Sequence, residues 1–153
     1  MIRKVLATGE DVHLFVLRVV LGAIFFAHGA QKTFGWFGGP GYSGIMQWFA
    51  QQHIPVLFAW LAIMAELLGG LFLIFGFLTR IAALGIVVNM VVATLTVGLP
   101  NGLFMNWFAN QKGEGIEFYL LVIVIGITLI LQGAGRWSVD RILEKKPGKQ
   151  SGR

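Results

Sequence analysis

No cysteine occurs anywhere in the 153 residues. That absence excludes a disulfide, a CxxC redox relay, a thiolate metal site and a c-type haem attachment, so any redox chemistry must run through a bound cofactor or a partner. Charge is scarce as well: 12% of the residues are Asp, Glu, Lys or Arg, against roughly a quarter in soluble domains. Histidine is confined to His13, His28 and His53, and only His28 falls inside an apolar stretch. A bis-histidine haem therefore lacks its second ligand, and no zinc or dimetal cluster is visible, so no metal is expected. Fixed-period repeats and low-complexity tracts are also missing.

What fills the chain instead is apolar: 56% hydrophobic residues at a mean hydropathy of +0.76. The length suits one domain, but a soluble domain of this size cannot hide so much apolar surface, which makes lipid the expected solvent. Four stretches approach the roughly 20 apolar residues that span a bilayer: about Val12 to Thr33, Pro55 to Leu78, Arg80 to Leu99 and Ile116 to Gly135. Pro55 suits a first helical position, where its missing N–H costs nothing, and the third stretch stops before Pro100. The segment "SGIMQWFAQQ", Ser43 to Gln52, reads as a short helix lying in the membrane interface. Gly38, Gly39 and Gly41 around Pro40 supply the reversal that leads into it. The expected fold is all-α: an integral membrane four-helix bundle with an interfacial helix or loop between helices 1 and 2. Residues 1–141 form the single four-span domain, and 142–153 form a basic, disordered tail.

A signal peptide is the rival reading of the first span, yet Glu10 and Asp11 spoil its basic leader and Arg18 interrupts its apolar run. Orientation follows from Lys and Arg. Arg3, Lys4, Arg80, Arg136, Arg141 and the four basic residues beyond Glu144 fall on one face, against Lys32 and Lys112 on the other. Both termini are expected in the cytoplasm, with the chain in a bacterial inner membrane. The net charge of +5 is thus a topology signal, and nucleic-acid binding is not expected.

Ionisable groups inside spans are expensive and usually face a partner in the helix interior. Arg18 sits about 15 residues, roughly 22 Å, below the outer end of its helix, and Glu66 about 11 residues, roughly 17 Å, below the start of the antiparallel second helix. These depths predict a buried Arg18–Glu66 pair, with Asn89 at a similar level. Higher up, Glu117 in the first turn of the fourth span should meet His28 and Lys32. Helical projection places Arg18, Gly22, Phe25, Gly29 and Lys32 on one face, with His28 on its flank. His28 and Glu117 are the candidate proton-handling, catalytic groups; Lys32, Gly29 and Phe25 are the candidate ligand-binding positions. Against this stand plainer roles: Arg18–Glu66 as a structural clamp, Glu117 as a helix N-terminal charge and Lys32 as a snorkelling lysine.

The stretches "LRVVLGAIFFAHGAQKTFGWFG", "AELLGGLFLIFGFLTRIAAL" and "GAGRWSVDR", in that order, resemble the DoxX family of small four-helix bacterial membrane proteins. The resemblance runs from about Val12 to Arg141. Arg18, His28, Gly29, Lys32, Glu66, Thr79-Arg80, Glu117 and the segment Gly133 to Asp140 match family positions. It implies similarity to the membrane subunit of archaeal thiosulfate:quinone oxidoreductase, and a link to oxidoreductase and oxidative-stress complexes; related four-helix proteins act in maturation of periplasmic dehydrogenases.

The expected function is therefore a membrane subunit of a quinone-linked oxidoreductase or redox complex, not autonomous as an enzyme, with quinone as the candidate ligand. Its expected partners are the lipid bilayer and either other redox subunits or further copies of itself. Two alternatives remain beside it: a non-catalytic accessory or assembly subunit that docks a partner complex, and a small-solute transporter. Four spans are few for a transporter, and no inverted repeat is visible.

Overall fold

The computed structural model describes residues 6–144. Among them it is all-helical, without strands. Helix α1 spans Val12–Phe34, α2 Gly41–Gln51, α3 Val56–Phe75, α4 Thr79–Ala93, α5 Glu117–Gln132 and α6 Val139–Glu144. A single 3₁₀ turn, Trp36–Gly38, leads from α1 to α2. The third span does not stop at Pro100: a π-turn at Thr94–Gly98 and a 3₁₀ turn at Leu99–Asn101 carry α4 onward. Proline is tolerated there because it opens the new turn, where no N–H is needed. Of the expected disordered tail, 142–153, residues 142–144 are helical and end α6; residues 145–153 and the basic N-terminal residues Arg3 and Lys4 lie outside the described residues.

Three helical runs, Val12–Phe34, Val56–Phe75 and Thr79–Asn101, are long and apolar enough to cross a membrane. Helix α5 is apolar but shorter, 16 residues or about 24 Å. Outward positions carry Val16, Val20, Val91, Leu121 and Val124, while Arg18, Glu66, Thr79 and Asp140 are buried. Polar groups inside and aliphatic ones outside is the pattern that a lipid solvent requires.

Local sequence explains the helix ends. Gly35 and Gly76 close α1 and α3 in the left-handed region, at φ 72° and 65°. At Gly76 the N–H groups of Gly76 and Phe77 turn back to Leu73 O and Phe72 O, the paired bonds of a Schellman stop. Packing is tightest between α1 and α3. Leu21 and Phe25 of α1, Leu73 of α3, Ile86 of α4 and Leu129 of α5 share one core. A smaller cluster joins Ile45 and Phe49 of α2 to Ala59 and Ile63 of α3.

Helices α1 and α3 approach closely because glycines face each other across the seam. A Cβ at Gly70 would stand 2.4 Å from Phe26 N and 2.8 Å from Gly22 O. Gly70→Ala is therefore expected to force the pair apart and cost about 1–3 kcal/mol as an overpacking change. Gly85→Ala is the matched control, because its Cβ meets only Ala65 Cβ, at 3.6 Å, and alanine gains up to about 1 kcal/mol of helix propensity. Thermal midpoints in one detergent check the contrast: Gly70→Ala falls and Gly85→Ala holds or rises.

Candidate functional site

The charged and polar residues sort into two groups at different levels along the helices. At the end that carries both described termini, Arg18 is fully buried. Its Nη1 donates to Leu73 O at 2.9 Å and Ile74 O at 2.5 Å, at the C-terminus of α3. Its Nε donates to Ala134 O at 2.9 Å and its Nη2 to Trp137 O at 2.6 Å. One guanidinium thus serves Ile74 O, a carbonyl that the helix end leaves without a partner, together with three further carbonyls, and sits where the helix dipole is negative. Phe15 completes its surroundings, with its ring centroid 5.0 Å from Arg18 Cζ.

The expected Arg18–Glu66 pair does not form. The register of the α1–α3 seam decides this: Gly22 lies against Gly70 and Ile74, and Gly29 against Leu67. Helix α3 therefore extends further past the end of α1 than equal starting levels would allow. Arg18 arrives at residues 73–74, and the level of Glu66 belongs to the last turns of α1.

Lys32 takes the place that Arg18 vacates. Lys32 Nζ donates to Glu66 Oε1 at 2.5 Å, and Asn89 Nδ2 donates to the same oxygen at 3.1 Å. The Glu66 side chain is 4% exposed and that of Lys32 is 26% exposed. Glu66 Oε2 is buried and has no hydrogen-bond partner among the described residues. Lys32 is thus an ion-pair partner, and snorkelling does not describe it.

These groups lie on the wall of a cavity of about 1520 Å³ between α1, α2, α3, the α4 run and the start of α5. Phe25, His28, Lys32, Glu66 and Asn89 all line it, and the remaining wall is mostly aliphatic and aromatic. The His28 ring stands 6.4 Å from that of Phe25, centroid to centroid. Two expected members are elsewhere. Glu117 Oε2 accepts the Met105 N–H at 3.1 Å and Glu117 N donates to Leu103 O at 2.9 Å, so this carboxylate ties the 102–106 loop to the start of α5 and does not line the cavity. Gly29 is taken up by helix packing: a Cβ there would lie 2.5 Å from Leu67 Cα.

A profile of the DoxX family matches residues 13–99. The chain belongs to the DoxX family. It is 34% identical to inner membrane protein YqjF of Escherichia coli over 138 residues, 90% of this chain and 96% of YqjF. It is 30% identical over 142 residues to CatD of Bacillus subtilis, which carries a provisional oxidoreductase name, with 93% of each chain covered. An uncharacterized Haemophilus influenzae protein is 32% identical over 145 residues, 93% of this chain and 90% of that one. No solved structure matches the chain. The stretch matching the DoxX family includes Arg18, Lys32, Glu66 and Asn89. This DoxX protein is a membrane protein whose apolar helices contact the bilayer.

The Gly133 to Asp140 segment proves to be the far side of the Arg18 clamp. Asp140 Oδ1 and Oδ2 accept the N–H groups of Leu78 and Thr79, at 2.7 and 2.9 Å. This carboxylate caps α4 from a distance. Arg80 repeats the theme, donating to Ile130 O and to Leu131 O at the end of α5. The sequence reading assigned no role to Asp140. Its signal was indirect: α4 begins after Leu78, a residue that cannot cap, so some other acceptor must serve its first N–H groups.

Proposed function

We propose that this DoxX protein is the membrane-embedded subunit of a quinone-linked oxidoreductase or redox complex. In this reading it is a four-helix bundle with both ends in the cytoplasm, and α2 lies in the outer interface. One observation carries the reading: a large, mainly apolar cavity has Lys32, Glu66 and Asn89 gathered on its wall. An apolar chamber with a few convergent polar groups suits a ring-and-tail molecule drawn from the bilayer. The provisional oxidoreductase name of CatD adds support.

The residues fit such a ligand. Lys32 offers N–H donors to a ring oxygen, Phe25 and the aliphatic wall cover the ring, and His28 is placed to hold or pass a proton. Within the cluster, Glu66 replaces Glu117 as the carboxylate of the site. Lys32 and Glu66 neutralise each other, which favours an uncharged headgroup; a small oxyanion would meet the Glu66 carboxylate. When bound, a quinone would supply the two-electron chemistry that a cysteine-free chain lacks.

The test is purification in a mild detergent, followed by mass spectrometry of co-purifying proteins and lipid-soluble molecules. A stoichiometric quinone, lost in Lys32→Ala but kept in Glu117→Gln, is expected. A ligand-free preparation that retains a partner protein would favour the accessory or assembly role instead. That second reading draws on Arg18, Arg80 and Asp140, whose polar atoms serve helix ends.

A further inference from the structure

The polar wall of the cavity is asymmetric in a way that bears on the ligand's oxidation state. Both nearby donors, Lys32 Nζ and Asn89 Nδ2, converge on Glu66 Oε1. The second oxygen, Oε2, is buried without a protein partner among the described residues, and its side chain is 4% exposed. A buried acceptor left unpaired is costly, and a ligand that pairs it recovers that cost. The site therefore presents a donor, Lys32, and beside it an acceptor in need of a hydrogen.

We propose that this site selects the hydroxyl-bearing, reduced form of its ring ligand, a hydroquinone, over the dicarbonyl quinone; the proposal rests on the quinone reading above. A carbonyl oxygen only accepts, so a quinone can serve Lys32 but leaves Glu66 Oε2 unpaired. A phenolic hydroxyl both donates and accepts. One such group can give its proton to Glu66 Oε2 while its lone pair receives a Lys32 N–H. The uncharged phenol also suits the paired Lys32 and Glu66, whose charges cancel, and the apolar remainder of the cavity takes the ring and tail.

The experiment is anaerobic binding of a decyl-tailed benzohydroquinone and of its oxidised partner to the full-length protein in detergent, read by quenching of intrinsic tryptophan fluorescence. Wild type is expected to bind the hydroquinone about tenfold more tightly, the ratio set by one unsatisfied buried acceptor. Glu66→Gln supplies the sharper arm. With Lys32 holding the amide oxygen, the amide NH₂ occupies the Oε2 position and presents a donor, so the preference should disappear or reverse toward the quinone. Equal wild-type affinity for the two forms overturns the hydroquinone selection and leaves the quinone reading standing. Binding of neither form overturns both. If Glu66→Gln does not accumulate, the wild-type ratio alone decides, and a preference for the quinone refutes the proposal.

Discussion

Arg18→Leu is expected to remove most of the folded protein from the membrane. The side chain is fully buried, and its loss removes the donors that serve Ile74 O, Ala134 O and Trp137 O, while Leu73 O keeps the Gly76 N–H. Two orphaned buried acceptors alone cost about 2–6 kcal/mol, against a total stability of about 5–15 kcal/mol for a typical domain. The damage should be widespread, because Arg18 joins α1 to the end of α3 and to the segment that carries Asp140, the cap of α4. Arg18→Lys should fall between, since a flexible ammonium cannot address as many acceptors as a planar fork. Size-exclusion profiles and thermal midpoints of detergent-extracted protein give the readout. A monodisperse Arg18→Leu protein melting within a few degrees of wild type would show that the clamp contributes little.

Lys32→Met is expected to act on the cavity and on stability together. It leaves the buried Glu66 carboxylate with Asn89 as its one donor, and breaking one side of a buried pair costs about 3–5 kcal/mol. The double variant Lys32→Met/Glu66→Met should recover most of the loss, because replacing a whole buried pair with apolar groups is close to neutral. A double-mutant cycle on thermal stability then separates two geometries. Positions 32 and 66 should couple by about 3 kcal/mol, whereas positions 18 and 66 should add within about 0.5 kcal/mol. Strong coupling between 18 and 66 would restore the pairing expected from helix depths and undo the assignment of Lys32.

The size of that reassignment shows what helix-depth reasoning can and cannot do. Span ends give relative depth only if α1 and α3 start level, which they do not. Their relative slide is set by which surfaces fit, and in the observed register Gly22, Gly29 and Gly70 lie directly against the facing helix. Lys32, read as interfacial, consequently became the partner of Glu66. Asn89 kept its expected neighbour, because its helix faces Glu66 at the level the spans implied. Glu117 went the other way: its helix-start position was legible, but the loop that folds back to donate the Met105 N–H was not.

Composition by itself determined the solvent, since 56% hydrophobic residues with 12% charged leave too little polar surface for a water-soluble domain. Apolar runs determined three of the spans, and Pro55 marked the start of one, because local backbone chemistry acts within a few residues. The rarity of charge also named the residues that matter, since each buried ionisable group must be explained. Only the tertiary structure decided the pairings. Which carbonyls Arg18 receives, which helix Asp140 caps and which oxygen of Glu66 remains free depend on contacts between residues tens of positions apart. Those contacts are fixed by helix register and side-chain shape, and no pattern along one segment encodes them.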